Sequence, residues 1–422
     1  MKIKNADLKF DMARPPVRQR WFLRPITWIG SFPEAWIRRL KIFRHGTTGL
    51  KPPYLLLCTH SSFMDFKVTT AAIFPHRANY VVAIDGFIGR EWLLRNAGGI
   101  CKRKFINDIT LIKQIKRVFA QGDILALYPE ARYSLVGTTA VLPDSLGKLI
   151  RLAKVPVAVL NIHGNYLNSP CWNLAKRGIP ATADFSKILS AEETQSLPVD
   201  EINRRVRAAF IYDEYQWQAE NKIEVKYAEN AKGLHKVLYQ CPACRTEFEM
   251  DSAGTRIWCN HCQKVWLLTP KGKLEATEGD TEFSHIPDWY EFQRREVREQ
   301  IEAGTYEVKD EVDIDSLPNA KGYINLGHGQ LVHNLDGFKL EARFADETFL
   351  LQKRPASMYS CHIEFDYDAR GDCLDLSTHN DTYYIYPLNL RCCVTKIALA
   401  TEELYQYYED KKPGNNKISG YR

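Results

Sequence analysis

The chain has 422 residues, of which 45% are hydrophobic and 26% charged, and its formal net charge is +6. This length is too great for one ordinary hydrophobic core, so two or three domains are expected. The N-terminus lacks a secretory signal, and no apolar run is long enough to span a bilayer, which argues against an integral membrane protein. Apart from one spaced set of four, the eleven cysteines are irregular, which favours a reducing, cytoplasmic compartment.

Aromatic and basic side chains alternate in the N-terminal segment, residues 1–50. Between residues 14 and 44 there are eight Lys or Arg and one acidic residue, interleaved with Trp21, Trp28 and Trp36. Helices of this composition lie in the headgroup region of a bilayer, which predicts peripheral association with membrane lipids through residues 14–44. An amphipathic helix that packs on the domain behind it has the same pattern, so both interpretations stay open.

Residues 51–190 alternate between short apolar runs and helical stretches. Strands are predicted at residues 53–59, 78–84, 122–129 and 155–162. Helices are predicted at residues 62–74, 89–97, 107–121 and 145–154. This alternation predicts an α/β domain, in which ligands bind at the carboxyl ends of the strands. His60 and Glu130 both follow a predicted strand directly.

The remaining sequence divides by composition. Residues 191–235 and 271–304 are charged and helical in pattern, and they are expected to connect domains. From residue 305 to 422, short runs bounded by Gly, Asp, Asn or Pro predict a β-rich domain, either a sandwich or a small barrel. Its last predicted strand is residues 392–399, and a closing helix is predicted to begin at Thr401.

The stretch CTHSSFMD, residues 58–65, places a histidine and an aspartate at a strand-to-helix turn. With Ser62 as the N-cap, Asp65 is the third helical residue, and its carboxylate points back toward the residues before the helix. A carboxylate there can accept a hydrogen bond from Nδ1 of His60, fix the tautomer and leave Nε2 as a base. Ser62 and Asp65 also form a capping-box-like signal that needs no active site.

Two further segments carry side chains that suit a phosphorylated ligand. In GGICKRKF, residues 98–105, two glycines precede Lys102, Arg103 and Lys104 in a turn predicted to be exposed, and clustered cations bind phosphate. In LYPEARYS, residues 127–134, Glu130 and Arg132 follow an apolar strand. Each segment by itself is equally compatible with an ordinary loop.

In this order and spacing these segments, followed by Val-Pro-Val at residues 155–157, resemble the glycerol-phosphate and lysophospholipid acyltransferase superfamily. The resemblance covers about residues 50–190 and implies transfer of a fatty acyl group to the hydroxyl of a lysophospholipid or glycerol phosphate. The implied donor is acyl-coenzyme A or acyl carrier protein.

The same resemblance implies roles for individual residues. His60 would be the general base and Asp65 its orienting carboxylate. The acceptor would be bound by Glu130, Arg132 and the cations Lys102, Arg103 and Lys104. The chain departs from the family's third motif, because Ala131 replaces a glycine and the arginine falls one position early.

Residues 236–270 contain two Cys-x2-Cys pairs, formed by Cys241, Cys244, Cys259 and Cys262. Each pair offers two thiolates on one tight turn, so together they predict a tetrahedral, structural zinc site of the zinc-ribbon type. Ribbons also bind nucleic acids and proteins, which leaves a second hypothesis: a catalytically degenerate scaffold whose ribbon and β-rich tail bind a partner. The acidic residues between 273 and 315 argue against nucleic acid as that partner.

Overall fold

The computed structural model describes residues 8–344 and 347–411, and its first sheet has seven strands. They are β1 (Lys41–His45), β2 (Leu55–Cys58), β3 (Ala78–Ala83), β4 (Gly99–Lys102), β5 (Ile124–Leu127), β6 (Val157–His163) and β7 (Thr182–Leu189). Their order across the sheet is β1-β7-β6-β2-β5-β3-β4. Strand β2 pairs in parallel with β5 on one side and with β6 on the other. The prediction of an α/β domain is confirmed.

Helices connect and cover these strands. They are α1 (Arg24–Ile37), α2 (Asp65–Ile73), α3 (Glu91–Asn96), α4 (Ile109–Ala120), α5 (Ser145–Ala153), α6 (Asn165–Asn168), α7 (Ala191–Ser196), α8 (Val199–Ala209) and α9 (Glu214–Glu220). The four helices predicted between residues 62 and 154 correspond to α2, α3, α4 and α5. All four side chains of β2 are buried, as expected for a parallel strand covered on both faces.

A small antiparallel sheet follows, with the order β11-β10-β9-β8. Its strands are β8 (Met250–Ala253), β9 (Arg256–Cys259), β10 (Val265–Leu268) and β11 (Leu274–Ala276). Residues 236–276, which contain these strands and the two cysteine pairs, are called the cysteine module below. The helix predicted after this module is α10 (Ile286–Glu302).

The third sheet is antiparallel, with the order β15-β14-β13-β12-β18-β17-β16. Its strands and the helix after them are β12 (Glu307–Ser316), β13 (Ile324–Asn334), β14 (Gly337–Phe344), β15 (Glu347–Lys353), β16 (His362–Glu364), β17 (Cys373–Ser377), β18 (Thr382–Pro387) and α11 (Cys393–Asp410). The β-rich prediction is confirmed, but these strands form one sheet with two edges. Among the described residues they form neither two packed sheets nor a closed barrel.

Two predictions in this C-terminal part are wrong, namely the strand at residues 392–399 and the start of the closing helix at Thr401. Residues 392–399 are not a strand, since α11 begins at Cys393 and every residue from Cys393 to Leu404 is buried. A helix buried all round has no polar face, so its pattern cannot be told from that of a buried strand. In addition, strand β12 was not predicted, because two of its buried residues, Asp310 and Asp315, are carboxylates.

One hydrophobic core joins the cysteine module and the C-terminal sheet to α6, α9 and nearby loops of the α/β part. It includes Tyr166 and Trp172 from the α/β part, Trp266 from the cysteine module, Trp289 from α10 and Ile397 from α11. The cysteine module and the C-terminal sheet therefore complete a core that the α/β part begins.

Replacement of Trp289 by alanine is expected to destabilise the whole chain. The indole is fully buried, lies 4.9 Å from the ring of Trp266 and donates a hydrogen bond to the carbonyl of Gln240 at 2.8 Å. Loss of a buried tryptophan costs about 3–5 kcal/mol, measured as the free energy of unfolding in urea. The control is Trp92→Ala on α3, where the side chain is exposed and a change within about 0.5 kcal/mol is expected. Equal losses in the two variants would contradict the shared core.

Candidate functional site

His60 and Asp65 lie at the carboxyl end of β2 and are in contact. Nδ1 of His60 is 3.1 Å from Oδ2 of Asp65. Helix α2 begins at Asp65, so the prediction that Ser62 is the N-cap and Asp65 the third helical residue is wrong. The hydroxyl of Ser62 instead accepts a hydrogen bond from the Met64 amide at 3.1 Å, within the turn that precedes the helix.

The Asp65 carboxylate is buried and held by backbone donors. Its Oδ2 accepts hydrogen bonds from the amides of Ser61 at 2.7 Å and Ser62 at 2.9 Å. A buried carboxylate requires such donors, because an unpaired charge inside a protein is costly. The turn therefore holds Oδ2 of this carboxylate beside the ring, which favours the His60 tautomer that carries its proton on Nδ1.

The His60 side chain is partly accessible to solvent. The side chain is 24% exposed, and its ring lies between those of Tyr128 and Tyr133, with centroids 4.4 and 4.5 Å away. No residue within the described ranges hydrogen-bonds Nε2. This nitrogen is consequently free to accept a proton from a bound molecule.

Glu130 supports the backbone beside the histidine. Its Oε1 accepts a hydrogen bond from the His60 amide at 3.0 Å, and its Oε2 accepts from the Ala140 amide at 2.8 Å and the Tyr212 hydroxyl at 3.1 Å. Burial raises the pKa of Glu130 to about 7. Both carboxylate oxygens of Glu130 are thus bonded to other residues of the chain. Because one of these partners is the His60 amide, Glu130 links the end of β5 to the His60 turn.

Arg103 and Lys102 do not form an exposed turn, and that prediction is wrong. Lys102 ends β4 and donates to the carbonyl of Ile106 at 3.0 Å. The Arg103 guanidinium is buried and donates four hydrogen bonds of 2.8–2.9 Å to the C-terminal part. The acceptors are the carbonyls of Leu317, Pro318 and Asn380 and the hydroxyl of Thr382.

Lys104 and Arg132 also face the C-terminal part. Nζ of Lys104 lies 2.9 Å from Nε2 of His362 and 3.4 Å from Oδ2 of Asp375. The buried Arg132 donates to Oε1 of Glu402 on α11 at 2.7 Å. The structure thus brings His60, Asp65 and Glu130 together, whereas Arg103, Lys104 and Arg132 are paired across the boundary with the C-terminal sheet and α11.

The four cysteines of the cysteine module form a second candidate site. The sulfurs of Cys241, Cys244, Cys259 and Cys262 all lie within 4.8 Å of one another. The separations are 3.7 Å between Cys241 and Cys262 and 3.8 Å between Cys244 and Cys259. Four converging thiol groups could hold a metal ion such as Zn²⁺, and they leave no coordination position for a substrate.

No protein-family model and no curated protein sequence matches the chain. Among solved structures, the chain is similar to the 1-acyl-sn-glycerophosphate (LPA) acyltransferase PlsC from Thermotoga maritima. The TM-score is 0.36 and the identity 12%, and the match covers 44% of this chain and 77% of that one. A likeness this distant does not establish a reaction, which has to be inferred from the side chains.

The sequence analysis did not identify two residues that lie at this site. Asn165 follows β6 and donates from Nδ2 to Oδ1 of Asp65 at 2.6 Å, and Tyr212 donates to Glu130. The signal for Asn165 was present, since it follows a buried parallel strand in the same way as His60 and Glu130. Tyr212 lies after α8, far along the chain, and no local pattern indicates its contact.

The purified protein is expected to contain about one zinc ion per chain, because four thiolates at these separations suit tetrahedral coordination. Cys259→Ser should lower that content severalfold, measured by elemental analysis. Cys171→Ser is the control, since this cysteine lies outside the set and should leave the metal content unchanged. Equal zinc content in both variants would rule out the proposed ligands.

Glu130→Gln is expected to remove a pH dependence of stability. The folded pKa of about 7 exceeds the usual 4.5, so the protonated carboxyl is favoured by folding. This contribution is fully present below the unfolded pKa and is lost as the pH rises through the folded pKa. Between about pH 5 and pH 8 the wild type should lose about 2 kcal/mol relative to the variant. Urea unfolding of both proteins at the two pH values measures this difference in the free energy of unfolding. Equal changes with pH in the wild type and the variant would contradict the prediction.

Proposed function

We propose that the protein is an acyltransferase that moves a fatty acyl group from an acyl thioester to the hydroxyl of a lysophospholipid or glycerol phosphate. The observation that carries this proposal is the histidine–aspartate pair at the end of β2. Its carboxylate is buried and hydrogen-bonded, and Nε2 of His60 is open. Such a pair is suited to take a proton from a hydroxyl nucleophile.

In the proposed reaction the two ring nitrogens of His60 have different roles: Nε2 transfers the proton, and Nδ1 stays bonded to Asp65. Nε2 of His60 takes the proton of the acceptor hydroxyl while the hydroxyl oxygen attacks the carbonyl carbon of the thioester. Asp65 stabilises the imidazolium that results. As the tetrahedral intermediate collapses, the carbon–sulfur bond breaks and the proton passes from Nε2 to the leaving thiolate. The products are an oxygen ester and a free thiol, from either coenzyme A or acyl carrier protein.

The acceptor is the less constrained part of the proposal. Binding of its phosphate by Arg103, Lys104 or Arg132 would require these cations to give up partners in the C-terminal part. A paired buried cation is costly to separate from its partner. Acceptors with and without a phosphate therefore both belong in the assay.

The lipid nature of the substrates is supported by α1 and its neighbours. Trp28 and Phe32 of α1 pack against Phe74, with ring centroids 5.1 and 5.3 Å apart, whereas Ile29 and Trp36 are exposed. Exposed apolar side chains on a helix with basic flanks favour docking on an anionic lipid surface. Within the described ranges, no helix is both long and apolar enough to cross a membrane.

His60→Gln is expected to lower acyl transfer by about 100-fold or more, because it removes the base and retains much of the side-chain size. The assay offers labelled acyl-coenzyme A or acyl carrier protein with lysophosphatidic acid, glycerol phosphate and uncharged lysolipids. His76→Gln, at an exposed histidine outside the site, is the control and should keep full activity.

Equal activity in the two histidine variants would refute the role of His60. No transfer by the wild type, with every donor and acceptor and with vesicles present, would favour the alternative that the scaffold is degenerate and binds a partner. Circular dichroism and zinc content establish that each variant is folded before activity is compared.

Ile29→Glu is expected to weaken binding to vesicles that contain phosphatidylglycerol by about tenfold or more, because it places a charge on the apolar face of α1. Flotation or sedimentation of vesicles measures the binding. Ile211→Glu is the matched control, since Ile211 is 77% exposed and Ile29 73%, but Ile211 lies between α8 and α9. Equal weakening by the two substitutions would argue against docking through α1.

A further inference from the structure

Asp65 also accepts a hydrogen bond from outside the turn that precedes α2. Its Oδ1 accepts from Nδ2 of Asn165 at 2.6 Å. Asn165 is fully buried and begins α6, directly after β6. Because β6 pairs in parallel with β2, the two strands place Asn165 and the His60 turn at the same edge of the sheet.

The orientation of this asparagine is fixed from its far side. The guanidinium of Arg38 donates from Nη1 to Oδ1 of Asn165, from Nη2 to the carbonyl of Gly164 at 2.9 Å, and from Nε to the carbonyl of Ile179 at 2.9 Å. An asparagine amide can present either its oxygen or its nitrogen to a neighbour. With Arg38 bound to the oxygen, the nitrogen faces Asp65, whereas a flipped amide would set its oxygen against the carboxylate.

Arg38 is suited to this role because it stays charged although it is buried. Burial lowers the pKa of Arg38 to about 10, which still leaves the side chain a cation at neutral pH. A charged donor makes a stronger hydrogen bond than a neutral one. Hydrogen bonds therefore connect Arg38 to Asn165, Asn165 to Asp65, and Asp65 to His60.

We propose that Asn165 and Arg38 are positioning residues for the His60–Asp65 pair. Asn165 holds the second oxygen of Asp65, so the carboxylate cannot turn away from Nδ1 of His60, and Arg38 holds the amide of Asn165 in the productive orientation. This inference rests on the proposed function only where it concerns the rate of acyl transfer. Its effect on the His60 tautomer follows from the contacts themselves.

The alternative is that the asparagine only stabilises the segment after β6. A matched control exists in the same short helix: Asn168 is also buried, and its Oδ1 accepts from the Ile179 amide at 3.1 Å without contact to Asp65. Asn165→Leu and Asn168→Leu each remove one buried amide from α6. A merely structural role predicts the same behaviour for both.

The test uses the full-length, folded protein with ¹⁵N-labelled histidine. The His60 ring signals are assigned by their absence in His60→Gln, and the tautomer is read from the Nδ1 and Nε2 shifts of the neutral ring. The wild type and Asn168→Leu should show one tautomer with the proton on Nδ1, and Asn165→Leu a mixture. Where acyl transfer is measured, Asn165→Leu should lower kcat roughly 10- to 100-fold with KM little changed.

Arg38→Lys provides a second variant that retains the charge but not the fork of donors, and it should shift the tautomer in the same direction by a smaller amount. A single Nδ1–H tautomer in Asn165→Leu, identical to that of the wild type, would overturn the inference. Full activity of His60→Gln would refute the proposed function instead, and the tautomer measurement would still decide the role of Asn165.

Discussion

The parallel pairing of β2 with β5 and β6 is the constraint on which the candidate site depends. Parallel strands end at the same edge of a sheet, so the three segments after them are neighbours in space although they lie far apart in the chain. The segment after β2 supplies His60 and Asp65, the segment after β5 supplies Glu130, and the segment after β6 supplies Asn165. The central position of β2 gives its histidine a supporting residue on each side.

Both supporting residues act on the surroundings of the imidazole, but on different atoms. Glu130 binds the backbone amide of His60, whereas Asn165 binds the carboxylate that faces the ring. The rings of Tyr128 and Tyr133 pack against the imidazole. Four residues on two segments, those after β5 and β6, thus constrain the direction of Nε2, and proton transfer depends on such geometry as well as on basicity.

The sequence was most informative where the physics is local. Strand–helix alternation indicated the α/β part because buried parallel strands such as β2 are continuously apolar, and the turn at residues 58–65 indicated the contact between His60 and Asp65. The two cysteine pairs likewise predicted a cluster. Edge strand β1 was not predicted, since it is mostly exposed and carries no apolar run.

Long-range contacts set the limit of what could be predicted. The cations of residues 102–104 suggested an exposed anion site, yet Arg103 meets acceptors more than two hundred residues away. A cluster of charges gives no local sign that a later part of the chain will cover it. The same holds for Arg132, whose partner lies on a helix that was itself predicted in part as a strand.

The core that α6 and its neighbours share with the cysteine module and the C-terminal sheet has a consequence for the order of events during synthesis. Tyr166 and Trp172 are made early, but the side chains that bury them include residues of the cysteine module and are joined to α11. Domains usually fold as they leave the ribosome, from the N-terminus onward. Here the α/β part emerges with an apolar surface around Tyr166 and Trp172 that stays uncovered until the cysteine module has been translated.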